Sequence, residues 1–216
     1  PAGASSDVVG RILAQKLSEY LGQQVIADNR AGAGGNLGIA HAAKSAPDGY
    51  TMVIATASIA VSPSLYANPG YDAVRDLASL ARLASIPNVM IVHPSVPAKT
   101  LRQFVELARA HPGKLNFGSG GAGTTNHLAN ELLKHLEKIN TVHVPYKGVT
   151  QAMNAMMGGE VDTVVMPVTT AAPQIKAGRV RALAVLTEKR IPALPDVPTS
   201  IEAGVKGFVM PLWYGM

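Results

Sequence analysis

Two stretches of the sequence put glycine and small hydroxyl side chains where the chain turns into a helix. Gly118-Ser119-Gly120-Gly121-Ala122-Gly123 runs straight into Thr124 and Thr125, and Pro1-Ala2-Gly3-Ala4-Ser5-Ser6-Asp7 precedes a run of helical spacing. The first turn of a helix leaves backbone N–H groups without an acceptor, and the helix dipole adds partial positive charge there. Glycine lets an anion come close to both. Each loop alone reads equally well as an ordinary turn with a capping serine or threonine. Two of them in opposite halves of the chain point instead to a pair of anion cradles. Thr56 and Ser58, at the end of a strand-like run, offer further hydroxyls.

Other chemistry is poorly supplied. Residues 118–123 also match G-x-G-x-x-G, placed after a strand and before a helix as a dinucleotide fingerprint requires. That fingerprint needs a carboxylate about 20 residues further on to hold ribose hydroxyls. Val142-His143-Val144-Pro145-Tyr146-Lys147 contains none. The histidines, His41, His93, His111, His127, His135 and His143, include no H-E-x-x-H pair. His127 and His135 lie two helical turns apart rather than one, so surface or capping roles are expected for them, not metal ligation. Ser119 has Phe117 two residues ahead, which excludes the G-x-S-x-G nucleophile elbow. With no cysteine there is no disulfide, thiolate nucleophile or cysteine-type zinc site. Met153, Met156 and Met157 read as core filler. No catalytic residue, metal or cofactor is expected.

The elements that must position these loops alternate. Val8, Val9, Ile12, Leu13, Leu17 and Leu21 recur at helical spacing, with Asp7 as cap and Gly22 as stop. Strands are expected at residues 24–27, 51–56, 80–83, 89–93, 115–118, 142–145, 161–166 and 180–186, with a last one from Phe208 through Gly215. Helices are expected at 36–45, 101–110, 124–136, 151–157, 171–177 and 200–203. Strand and helix in alternation indicate an α/β protein whose sheets are mainly parallel and covered by helices on both faces. Pro94-Ser95-Val96-Pro97 is the expected crossing between two lobes, residues 1–95 with 208–216 and residues 96–207. A hydrophobic fraction of 47% indicates an ordered chain, and the 19 basic residues are scattered, with no run suited to nucleic acid. The apolar run at residues 51–65 is too short for a membrane span of about 20 residues. The chain starts without methionine and carries no signal peptide, so its N-terminus reads as trimmed.

Five motifs in order resemble a known family: Pro1-Ala2-Gly3-Ala4-Ser5-Ser6-Asp7, Asp28-Asn29-Arg30-Ala31-Gly32-Ala33-Gly34-Gly35-Asn36, Phe117-Gly118-Ser119-Gly120, Val144-Pro145-Tyr146-Lys147-Gly148 and Leu194-Pro195-Asp196-Val197-Pro198-Thr199. Over essentially the whole chain they resemble the Bug receptors, the periplasmic substrate-binding proteins of tripartite tricarboxylate transporters. The resemblance implies a two-lobed type II periplasmic-binding-protein (Venus-flytrap) fold, a monomer in the periplasm that binds no nucleic acid and delivers a small carboxylate to a membrane permease. Carried over by position, one cradle falls on Ala2, Gly3, Ala4, Ser5, Ser6 and Asp7. The other falls on Ser119, Gly120, Gly121, Gly123, Thr124 and Thr125, and Thr56 and Ser58 line the first lobe. Asp7 is expected to cap its helix rather than meet an anion of like charge.

The sequence departs from the family at its ends and at one position of chemistry. A first strand before Pro1 and the last helices are expected to be missing, leaving the first lobe incomplete at both ends. Where many relatives end a strand in Asp-Asn, this chain has Met166-Pro167. A thioether there cannot offset an ammonium charge, so a mono- or dicarboxylate is expected in preference to an amino acid, with Met166 facing the ligand. Two other readings stay open: a nucleotide-dependent enzyme using residues 118–123, and a carboxylate-sensing module acting on a signalling partner.

Overall fold

The computed structural model describes Gly3 and residues 5–216, apart from the side chain of Ser5. In chain order the elements are α1 (Ser5–Leu21), a 3-10 turn (Ala33–Gly35), α2 (Asn36–Ala43), α3 (Ser58–Leu65), β1 (Arg82–Ile86), β2 (Asn88–Val92) and α4 (Leu101–Ala110). Then follow β3 (Asn116–Ser119), α5 (Thr125–Glu137), β4 (Val142–Pro145), α6 (Val149–Met157), β5 (Thr163–Pro167), α7 (Val168–Lys176), β6 (Arg181–Val185) and β7 (Leu212–Gly215). They divide into two compact units, Pro1–Ser85 with Trp213–Met216, and Ile86–Leu212. The division differs from the one expected at residues 95/96 and 207/208. The reason is β2, whose ladder lies in the second unit's sheet, so the chain changes unit before that strand and not at Pro94-Ser95-Val96-Pro97.

The second unit is a five-stranded sheet in the order β4-β3-β5-β2-β6. β3 runs parallel to β4 and β5, while β2 runs antiparallel to β5 and β6. β2 and β5 are buried at every position, which is why they read as unbroken apolar runs. Alternate side chains feed two cores. Met90, Val92 and Val165 pack with Leu101, Phe104, Val105 and Leu133 of α4 and α5 on one face. Val89, Ile91, Val164 and Met166 pack with Ala152, Met153, Met156 and Ala171 of α6 and α7 on the other. Leu101, Phe104, Val105 and Ala108 recur at i, i+3, i+4 and i+7 and are all buried, so α4 matches the sequence-based range to the residue. Burying each large side chain contributes about 1.5–3 kcal/mol. Residues 200–203 form a turn rather than the expected helix, tied by reciprocal Thr199–Glu202 hydrogen bonds, Thr199 N–H to Glu202 Oε2 (2.8 Å) and Glu202 N–H to Thr199 Oγ1 (3.0 Å).

The first unit holds fewer buried side chains. Its polar centre is Asn36, at the start of α2, whose Oδ1 accepts from Ser62 Oγ (2.7 Å) and from the Tyr71 hydroxyl (2.9 Å), beside buried Ile39 and Ala55. β1 pairs with β7 in a two-stranded sheet. Residues 24–27 and 51–56, expected as strands, form no ladder among the described residues. A strand exists through its partner, and here Val25 N–H is held by the Ser18 hydroxyl (2.8 Å) while Ala55 makes a single two-bond bridge to Gly215. Ile26 is left 77% exposed. α3 lies inside the apolar run at residues 51–65 and was not expected, because Ile59, Val61 and Pro63 are all weak helix formers.

Candidate functional site

The loop from β3 to α5 is organised by its own side chains. Ser119, fully buried at the end of β3, accepts the Gly121 N–H (3.0 Å), and its Oγ lies 2.6 Å from His143 Nε2 on β4. At Gly120 the chain passes against the start of α6, where a Cβ would stand 3.0 Å from the Val149 nitrogen, so a larger residue would require the backbone there to give way. Asn126 Oδ1 gathers the Gly120 N–H (3.3 Å), the His127 N–H (3.1 Å) and the Thr124 hydroxyl. Thr124 is the N-cap residue, and its Oγ1 also lies 2.6 Å from the Gly121 carbonyl. Gly123, at φ +78°, holds the left-handed turn that glycine favours. It donates its N–H to His127 Nδ1 (3.3 Å).

Thr125, the first residue of α5, is 6% exposed, and its hydroxyl has no hydrogen-bond partner among the described residues. A buried hydroxyl left unpaired costs about 1–3 kcal/mol. Here it stands at the positive end of a 13-residue helix, behind a glycine-rich turn. Such an arrangement supplies what a carboxylate needs: N–H and O–H donors and no competing negative charge on the loop. Next to the loop, Phe117 and His143 stack with ring centres 4.8 Å apart, and the His127 ring lies tilted against His143 at 4.2 Å. Burial, and next the neighbouring His127, hold the His143 pKa down at about 4, and burial likewise lowers that of His127. Both rings are therefore neutral at pH 7.

In the first unit the structure places the sequence-derived residues as follows. Asp7 Oδ2 accepts the Gly3 N–H (2.9 Å), Oδ1 accepts from Asn29 Nδ2 (2.7 Å), and Arg11 pairs with the same carboxylate. Those hydrogen bonds, from Asn29 first, then Gly3, then Arg11, hold its carboxyl well below the usual range. Asp7 thus ties the loop to the helix. Ser6 is half-buried on the first turn of α1, while Ala2, Ala4 and the side chain of Ser5 lie outside the described residues. Thr56 Oγ1 and Ser58 Oγ are 3.0 Å apart at the start of α3, with Ser58 buried. Among the described residues no cluster of His, Asp and Glu is placed to hold a metal ion, and no helix is long and apolar enough to cross a membrane.

The sequence model of the tripartite tricarboxylate transporter family receptor matches residues 9–216. The chain belongs to that receptor family. Among solved structures, R. palustris Rpa4515 with adipate superposes with a TM-score of 0.92 at 35% identity, over all of this chain and 72% of that one. The periplasmic binding protein BugD does so at 0.90 and 34%, over all of this chain and 72% of its own. MatC from Rhodopseudomonas palustris with bound malate gives 0.90 and 31%, over all of this chain and 74% of that one. The fold is that of the periplasmic binding proteins. The chain spans 65% of the length of a 39% identical curated relative from Pseudomonas sp. (strain P51), and 62% of a 37% identical one from Agrobacterium vitis.

One expected site residue of this family member is placed elsewhere. Met166 is fully buried on β5, opposite Val89 of β2 and within the core formed with α6 and α7, so its side chain packs with apolar neighbours instead of facing a ligand. Met166 therefore gives no ground for preferring a plain carboxylate over an amino acid. Conversely, no role in the loop was expected for Asn126, His127 or His143. The only signal was positional: Asn126 and His127 follow directly on the Gly-Thr-Thr that starts the helix, where acceptor side chains reach back to free N–H groups.

Proposed function

We propose that this protein is the solute receptor of a tripartite tricarboxylate-type transporter, and that it captures a small mono- or dicarboxylate without transforming it. The observation that carries the reading is the buried, unpartnered Thr125 hydroxyl at the N-terminus of α5, behind a turn whose other donors are locked in place. A ligand carboxylate accepts from such a hydroxyl and from first-turn N–H groups with little reorganisation, since side chains already hold the loop. Family membership and the adipate- and malate-containing structures at 35% and 31% identity support the ligand class. The receptor works in the periplasm, as a monomer, and hands its ligand to a membrane permease. No residue turns over in this function. Asn126 and the neutral His127 orient the loop, and β4, with His143 and no carboxylate, lacks the group that would hold a ribose.

The test is a thermal-shift and calorimetry series with adipate, malate, benzoate, glutamate, lysine and NAD. A carboxylate present at 100 times its dissociation constant stabilises the folded state by about 2.7 kcal/mol. We expect stabilisation by adipate or malate and none by NAD. Stabilisation by NAD alone, or by no carboxylate, refutes the reading.

A further inference from the structure

Among the described residues, four helices carry the same bond at their start. A residue just ahead of the helix donates its N–H to a side chain four residues on: Gly3 to Asp7 (2.9 Å), Lys99 to Gln103 (2.7 Å), Gly123 to His127 (3.3 Å) and Lys147 to Gln151 (3.2 Å). In α4, α5 and α6 the donor is the residue before the N-cap, so the acceptor occupies the third helical position, where capping boxes place glutamate or glutamine. α1 uses a carboxylate, offset by Arg11 one turn on. α4 and α6 use a neutral amide. α5 uses an imidazole, and the residue one turn on from it is Glu131, an acid.

We propose that His127 is the positioning residue of the α5 anion site: its neutral ring accepts the Gly123 N–H through Nδ1 and so fixes the turn that presents the helix start and the Thr125 hydroxyl. The proposal rests on the carboxylate-receptor reading. A backbone N–H only donates, so Nδ1 must carry a lone pair and the ring proton sits on Nε2. The ring packs against the tilted His143 ring, 4.2 Å between centres, and lies stacked at 6.2 Å from Phe117. The charged groups facing it are Glu131 and Lys134 on its own helix, and the neutral but titratable His143 faces it from β4. A neutral acceptor also suits the place. Glutamate at position 127 would make the same bond, but it would add negative charge beside an anion's binding site and one turn from Glu131.

Three variants and one spectrum decide it. In long-range proton–nitrogen NMR of the whole chain, His127 Nδ1 is expected at the shift of an unprotonated acceptor; a proton on Nδ1 overturns the proposal. In calorimetry with adipate, His127→Gln, which copies α4 and α6, should bind within about threefold of the wild type. His127→Leu and His127→Glu should each bind at least about tenfold more weakly, a loss of about 1.4 kcal/mol. Adipate binding by His127→Leu within about threefold of the wild type, or a tenfold loss in His127→Gln, overturns it. Should the leucine variant fail to fold, the glutamine and glutamate variants and the tautomer still decide. If the wild type binds no carboxylate of the series, the receptor reading fails and the tautomer alone decides the positioning role: an unprotonated Nδ1 supports it and a protonated one overturns it.

Discussion

Replacing Thr125 with valine separates stability from binding, because the two respond to the same hydroxyl with opposite sign. The side chain is 6% exposed and its Oγ1 has no partner among the described residues, so the folded state carries a desolvated donor that the unfolded chain gives back to water. An unpaired buried hydroxyl costs about 1–3 kcal/mol, and valine keeps the shape, so the low end of that range, about 1 kcal/mol, should be recovered. For a chain of this length that raises the thermal midpoint by about 2–4 °C. The ligand loses a charge-assisted hydrogen bond of about 1.5–3 kcal/mol, which weakens adipate binding by about 10- to 150-fold. Thr125→Ser keeps the hydroxyl and should retain affinity. Urea denaturation without ligand and calorimetry with adipate read the two effects separately. A valine variant that is destabilised by about 1 kcal/mol or more, or that binds adipate within about threefold of the wild type, refutes the reasoning.

Acid should weaken the fold through the neighbouring histidines. Their folded pKa values lie below 6.5, that of His143 at about 4, so the unfolded state binds more protons between those limits. Stability from these groups is therefore full above about pH 6.5 and falls as the pH drops toward about 4. Denaturation series across that range, compared with a His143→Gln variant of shallower slope, check the sign; a wild type that gains stability on acidification contradicts it. Met166→Asp should destabilise the second unit by more than about 4 kcal/mol, because it puts a carboxyl into an apolar core position. Near-native stability with altered ligand selectivity in that variant would restore Met166 to the site.

How far the sequence reached depends on what decides each element. α4 and β4 were legible to the residue because local signals settle them: four apolar residues at helical spacing, and a short segment with valines at alternate positions. The β3–α5 loop was legible as an anion-binding shape, since glycines and hydroxyls ahead of a helix are a local pattern too. Residues 24–27 and 51–56 were misread, because a short apolar run states only that a segment can join a ladder, while the ladder depends on a partner elsewhere. Met166 failed for a related reason. A strand buried on both faces gives no alternation from which to read orientation, and only the pairing with Val89 shows which core the side chain enters.

The same distinction explains why Asn126, His127 and His143 stayed hidden while the loop they serve did not. A donor-rich loop is specified by small residues in sequence, but its rigidity comes from hydrogen-bond partners on two other elements, the first turn of α5 and the middle of β4. Binding depends on that rigidity: a loop that must be ordered when the ligand arrives loses affinity to each side chain it immobilises, about 0.5–1.5 kcal/mol apiece. Of the donors described around this turn, those of Gly120, Gly121, Gly123 and Thr124 are already committed to the loop itself, and the Thr125 hydroxyl is not. Locking the first four is what makes the fifth useful, since a hydroxyl on a loose loop would find its own acceptor and have none to offer a carboxylate.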